Sequence, residues 1–285
     1  MRTGLALALL LAALPASAQQ KTDVTVRQVN DRRSKGFFSE LTLALELPKL
    51  KSAEVAASRV FVKSAADDAG GDLVDHEASE PQFEWNPRAA MKDAPPMPAM
   101  VSVKLKNPAR KARKVSAVSG EIELYLPGKD PNSIAEIPKF VTMGGKVLGH
   151  KALKANGVEI AMLSEAQIET ERSKRVEAKK KEYAEMGYEG EDLENAVRSA
   201  TEGLLAVEEN ELLVRIKDPE KRIQEISYVD SAGEVKMVST RDEEGVVLLS
   251  TWGGTPQPDW AIRVSMRTPK NVVRYAFALT DVPLP

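Results

Sequence analysis

The sequence predicts a mainly β protein, built as two β-sandwich modules joined by a helical insert. Short runs that alternate apolar and polar residues recur along the chain, as half-buried strands require. Turn signals of Asp, Gly and Pro separate these runs. One stretch, residues 164–207, departs from the pattern with charged sequence poor in β-formers.

The chain opens MRTGLALALLLAALPASA. A lone Arg2 precedes an apolar run from Gly4 to Leu14, Pro15 ends any helix, and Ala16-Ser17-Ala18 is a small-residue cleavage site. This is the three-part pattern of a secretory signal peptide, expected over residues 1–18. The apolar run is too short for a transmembrane anchor, which takes about 20 residues. No later run is long enough, so no transmembrane anchor is expected after cleavage. The chain has no cysteine, which excludes disulfides, thiolate metal sites, a Cys nucleophile and a lipidated Cys. Together these features point to an exported bacterial protein, periplasmic or extracellular. Without Arg2 there are 39 basic residues against 42 acidic ones, a near balance that gives no global case for nucleic acid.

Strand signals then follow in order. In residues 38–48, FSELTLALELP, Leu41, Leu43 and Leu45 point one way. Arg59 to Val62 is a second strand signal, and it runs into the turn AADDAGGDLV, residues 65–74. Residues 86–98, rich in Pro and Ala, read as an irregular loop. Val101, Val103 and Leu105 face inward with Ser102, Lys104 and Lys106 outward, until Asn107-Pro108 breaks the strand. Val118, Ile122, Leu124 and Leu126 form a further strand signal.

The C-terminal part repeats this order. Ile223 to Val229 runs into YVDSAGEVKM, residues 228–237, and a Pro-bearing loop follows from Pro256 to Pro258. Ile262, Val264 and Met266 then face inward with Arg263, Ser265 and Arg267 outward, and Thr268-Pro269 breaks the strand. Tyr275, Phe277 and Leu279 alternate in the last strand. Matching signals at matching spacing predict an internal repeat. In architecture the pattern resembles immunoglobulin-like sandwiches, without the Cys–Trp–Cys spacing of true immunoglobulin domains. The expected organisation is a sandwich over 19–160, a helical insert over 161–207 and a second sandwich over 208–285.

Within the insert, Ser164 with Gln167 forms a capping box that starts a helix. Its apolar stripe is thin: Ile168, Val176 and Tyr183. A second helix is expected from about Asp192, with Leu193, Ala196, Val197, Ala200 and Leu204 on one face, packing on a sandwich. The basic run from Arg172 to Lys181 is interleaved with Glu171, Glu177 and Glu182, as helix-surface ion pairs require.

Catalytic signatures are absent. No Ser lies in G-x-S-x-G, no Ser has Lys at +3, and His76 and His150 stand 74 residues apart. Asp67, Asp68 and Asp72 offer carboxylates for a hard cation, but the spacing fits a turn better than an EF-hand loop. Trp252 and Trp260 flank the loop GGTPQPD and could stack on a sugar or grip a partner; the plainer role is capping the core. Lys104 and Lys106 in one strand, and Arg263 and Arg267 in its counterpart, form basic outward faces. These faces suit an anionic polymer or an acidic protein, or simply guard a solvated sheet. The expectation is a non-enzymatic envelope protein without cofactor, acting through protein–protein contacts. The alternatives are a carbohydrate-binding module, or a hydrolase whose carboxylates the sequence does not single out.

Overall fold

A computed structural model describes residues 20–21, 24–34, 39–86, 89 and 95–285. The signal-peptide segment, residues 1–18, lies outside the described residues, as does much of the expected loop at 86–98. The first seven strands are β1 (Gln20–Lys21), β2 (Thr25–Arg32), β3 (Glu40–Lys51), β4 (Ala57–Asp67), β5 (Glu84–Trp85), β6 (Pro98–Leu105) and β7 (Lys114–Tyr125). Next come β8 (Ile134–Pro138), helix α1 (Lys151–Ala155), β9 (Glu159–Met162), α2 (Glu165–Glu185) and α3 (Gly190–Thr201). The chain finishes with β10 (Glu211–Lys217), β11 (Ile223–Val229), β12 (Val235–Glu243), β13 (Val246–Thr251), β14 (Ala261–Met266) and β15 (Val272–Pro283). Among the described residues no helix is long and apolar enough to cross a membrane.

The protein is mainly β, as the alternating runs predict, and its contacts divide it into two compact units. Unit 1 combines residues 1–125 with 273–285; unit 2 is the continuous segment 126–272. The expected boundaries at 160 and 207 therefore fall inside unit 2. The expected C-terminal module also loses β15 to unit 1, because that strand hydrogen-bonds between β1 and β7.

Unit 1 holds two sheets, β2-β3-β6 and β1-β15-β7-β4-β5. Period-two patterning explains the first: Leu41, Leu43, Leu45 and Leu47 are fully buried, and so are Val101, Val103 and Leu105 on the paired strand β6. Burying each such side chain stabilises by about 2 kcal/mol. Pro48 cannot donate to the ladder, and the β3–β6 register shifts just after it, between Leu47 and Lys51. In the second sheet Gly120 makes room for the Phe277 ring, since a Cβ there would come within 2.8 Å of it.

Unit 2 is not a second two-sheet sandwich. It is one antiparallel sheet of seven strands, β8-β14-β11-β12-β13-β10-β9, a half-barrel. Its inner face carries a core that includes Tyr228, Trp260, Ile262, Val264, Phe140 and Leu153. One end of the outer face is covered by Leu163, Leu205, Leu213, Val246 and Leu248, with Ile168 of α2 packed against them. The capping box forms as expected: the Gln167 N–H donates to Ser164 Oγ, and Gln167 Oε1 accepts from the Ser164 N–H at 3.0 Å. Two arginines of the basic run tie α2 down. Arg172 donates to the carbonyls of Leu204 and Leu205, and Arg175, buried, donates to that of Glu243 at 2.6 Å. Helix α3 ends at Thr201, earlier than its apolar stripe suggests, and Leu204 joins the outer-face cluster instead.

The two repeated turns are alike at atomic level. Asp67 donates its N–H to the Gly71 carbonyl and accepts the Gly70 N–H on its own carbonyl; its Oδ1 takes the Ala69 and Gly71 N–H groups. Asp230 makes the same four bonds with Glu234, Gly233, Ala232 and Glu234. Gly70 and Gly233 both hold φ near +80° (+85° and +77°), which favours glycine. Pairing beyond the turns differs. The strand before the first turn, β4, pairs with β7, the strand after the Pro break. The strand before the second, β11, pairs with β14, the strand preceding the break. The sequence echo is therefore one of turn chemistry; the two units do not share a strand order.

Candidate functional site

The Trp-flanked loop separates its two tryptophans completely. Trp260 is 7% exposed, packed in the inner core beside Tyr228 at 6.4 Å between ring centroids. It offers no open face to a sugar, so the expectation of a Trp252–Trp260 pair fails there. Trp252 is 92% exposed.

Sheet parity explains the contrast. Val238 pairs with Thr251; Thr251 is buried and Val238 packs against the inner core. Continuing that register places Met237 opposite Trp252, on the outer face. Met237 is 77% exposed, so both apolar side chains stand open to solvent. The backbone on either side is pinned. Asn210 donates its side-chain N–H to the Thr251 carbonyl at 2.9 Å and accepts the Thr251 N–H on its own carbonyl at 3.2 Å. Thr251 Oγ1 accepts the Gly253 N–H at 3.1 Å. Gly254 sits at φ +98°, where a side chain would strain the turn.

A shallow open groove of about 600 Å³ adjoins this loop, lined by Val207, Glu208, Glu209, Asn210, Gly254 and Thr255. Glu211 shapes its acidic side: its carboxylate takes the Glu208 N–H at 3.0 Å and the Ser250 hydroxyl at 2.7 Å. These bonds, the backbone one first, hold its pKa below the ordinary value. On the other flank Lys236 bonds both Glu234 (2.7 Å) and Asp230 (3.0 Å), which raises its pKa, and its stem lies against Gly253. The sequence reading missed Met237 and the Glu208–Asn210 turn. The only available signal was their register against Thr251, which needs the pairing to be known.

The other sequence candidates are engaged locally. Lys104 pairs with Glu84 at 2.6 Å, and Lys106 is exposed just past β6 in unit 1. In unit 2 Arg263 pairs with Glu136 at 2.8 Å and Arg267 donates to the Lys221 carbonyl at 3.1 Å. Asp67 is buried. Burial alone would raise its carboxyl, but the N–H groups of Ala109, Gly71 and Ala69 outweigh that and hold it low. Asp68 accepts the Arg113 N–H, and Asp72 accepts the Val74 N–H and pairs with His76 at 2.8 Å. These carboxylates brace turns, and among the described residues no three His, Cys, Asp or Glu side chains converge as ligands of an ion. His150 Nδ1 caps α1 by accepting the Ala152 N–H at 3.1 Å. Comparison with protein-family models, with curated proteins and with solved structures returns no match.

Proposed function

We propose that the chain is an exported, non-enzymatic binding protein of a bacterial cell envelope, acting through protein–protein contacts on the outer face of the unit 2 sheet. The observation that carries this reading is Trp252, 92% exposed, with Met237, 77% exposed, at the facing register position. A large aromatic ring left in water costs hydration free energy, and such anchors concentrate at interfaces. The loop around it is pinned by hydrogen bonds, so the ring is presented on a pre-organised backbone and loses little entropy on docking. Export rests on the N-terminal signal pattern. Within unit 1 we read an immunoglobulin-like sandwich, supported by β2-β3-β6 in one sheet, β15-β7-β4 in the other, and β1 running parallel to β15.

The test is a crosslinking capture from native envelopes with residues 19–285 as bait, run beside a Trp252→Ala, Met237→Ser variant. The wild type is expected to retain a partner that the variant loses. Equal capture by both would refute the assignment of this face.

A further inference from the structure

The Trp252 face carries a one-sided charge. On the β10 side, Glu208 and Glu209 are exposed and, among the described residues, make no ion pair, and the Glu211 carboxylate stands behind them. On the β12 side, Asp230 and Glu234 together hold Lys236, and Arg241, whose charge reaches Glu211, is paired with Glu243, so both cations already have carboxylate partners. The lining of the groove thus carries two carboxylates, Glu208 and Glu209, and no Lys or Arg. An anionic polymer would be repelled here. A cation is drawn to the carboxylates and also to the negative face of an indole, the best ring for that contact.

We infer that Trp252, Met237 and the Glu208–Glu209 turn form a docking surface for a basic segment of a protein partner, one that carries Lys or Arg next to an apolar residue. This deepens the binding reading above and rests on it. The apolar residue of the partner covers Met237, its cation lies over Trp252, and Glu208 and Glu209 bind a second cation along the groove. The shallow, open form of the groove suits an extended segment better than an enclosed small molecule.

The test uses the mature chain carrying Trp85→Phe, so that fluorescence comes from Trp252 and from the buried Trp260. The probes are an end-blocked hexapeptide of alternating lysine and leucine and its glutamate–leucine counterpart. The basic peptide is expected to shift the emission and to bind at least about tenfold more tightly than the acidic one. Raising salt from about 0.05 M to about 0.3 M should weaken it severalfold, and Glu208→Gln with Glu209→Gln should weaken it about three- to tenfold. Both glutamates are exposed, so these substitutions leave folding intact. Equal binding of the two peptides would overturn the basic-partner inference while leaving the binding reading in place. No response to the basic peptide would overturn it as well, and the envelope capture would then judge the binding reading alone. Self-association of the free protein that disappears with Trp252→Ala would assign the surface to a second copy and also overturn the inference.

Discussion

Replacing Asp67 and Asp230 with alanine, one at a time, tests whether twin turns are worth the same where their surroundings differ. Both carboxylates accept N–H groups two and four residues ahead. Asp67 is 3% exposed and takes a third, from Ala109, at 2.8 Å, which ties the loop after Pro108 to the turn. Asp67→Ala leaves three N–H donors of a part-buried turn without their acceptor. At roughly 1 kcal/mol or slightly more per orphaned N–H, the loss comes to about 3–4 kcal/mol. Asp230 accepts only two such N–H groups, at a less buried site where it also pairs with Lys236 at 3.0 Å, so Asp230→Ala should lose less stability than Asp67→Ala. The assay is urea unfolding followed by far-UV circular dichroism, with Trp85 fluorescence reporting on unit 1. The Asp67 carboxyl is held low in the folded state. Its contribution is therefore complete above the unfolded carboxylate pKa, about 3.9, and is lost as pH falls through the folded value. The difference between wild type and Asp67→Ala should narrow below about pH 4. An Asp67→Ala loss under about 1 kcal/mol, or one no larger than that of Asp230→Ala, would refute the reasoning.

Tyr228 is fully buried, and its hydroxyl has no hydrogen-bond partner among the described residues. Tyr228→Phe should leave stability unchanged or raise it by up to about 1 kcal/mol in thermal melts, and a loss larger than that would expose a hidden partner. Arg175 holds the carbonyls of the Glu243–Glu244 turn, where Glu244 sits at φ +53°. Arg175→Ala should cost about 1–3 kcal/mol and speed hydrogen exchange in α2 and residues 243–246; unchanged exchange there would argue against the anchor. Trp252→Ala should change stability by less than about 0.5 kcal/mol because the ring buries almost nothing, so a larger fall in melting temperature would mean it packs after all.

Sequence made the one-sided strands plain. The leucines of β3 and the valines of β6 alternate because one face is core and the other is solvent. Strands covered on both faces gave no such alternation: in β13 Val246, Val247, Leu248 and Leu249 are all buried, the even positions by the α2 side and the odd ones by the inner core. This also hid the site. With Leu248 and Leu249 alike, nothing local tells that Thr251 turns in and Trp252 out, or that Trp260, eight residues later, points into the core. The turn chemistry at Asp67 and Asp230 was readable because it depends on five consecutive residues. The strand partners were not, because β4–β7 and β11–β14 pairing is decided by distant packing. A Pro-broken strand signal looks the same whether the following strand stays in its own unit or, like β15, joins the other.

That last strand makes the division of the chain testable. Unit 2 leaves unit 1 after β7 and returns at β15, two neighbours in one sheet. The ends of the inserted segment meet, since the Leu126 N–H donates to the Asn271 carbonyl at 2.8 Å. A short Asn-Gly turn can therefore span the gap if residues 126–271 are removed. The excised chain keeps β15 between β1 and β7, and it is expected to melt cooperatively with a β-type spectrum. Truncation after residue 272 discards β15 instead, with Tyr275 at 8% and Phe277 at 4% exposed. Losing those two rings costs about 3–5 kcal/mol each before the ladder of an interior strand is counted. Against a domain stability of about 5–15 kcal/mol, unit 1 should not fold. A truncated chain that still showed the unit 1 transition, through Trp85, would mean that β15 is dispensable and that unit 1 ends at Tyr125.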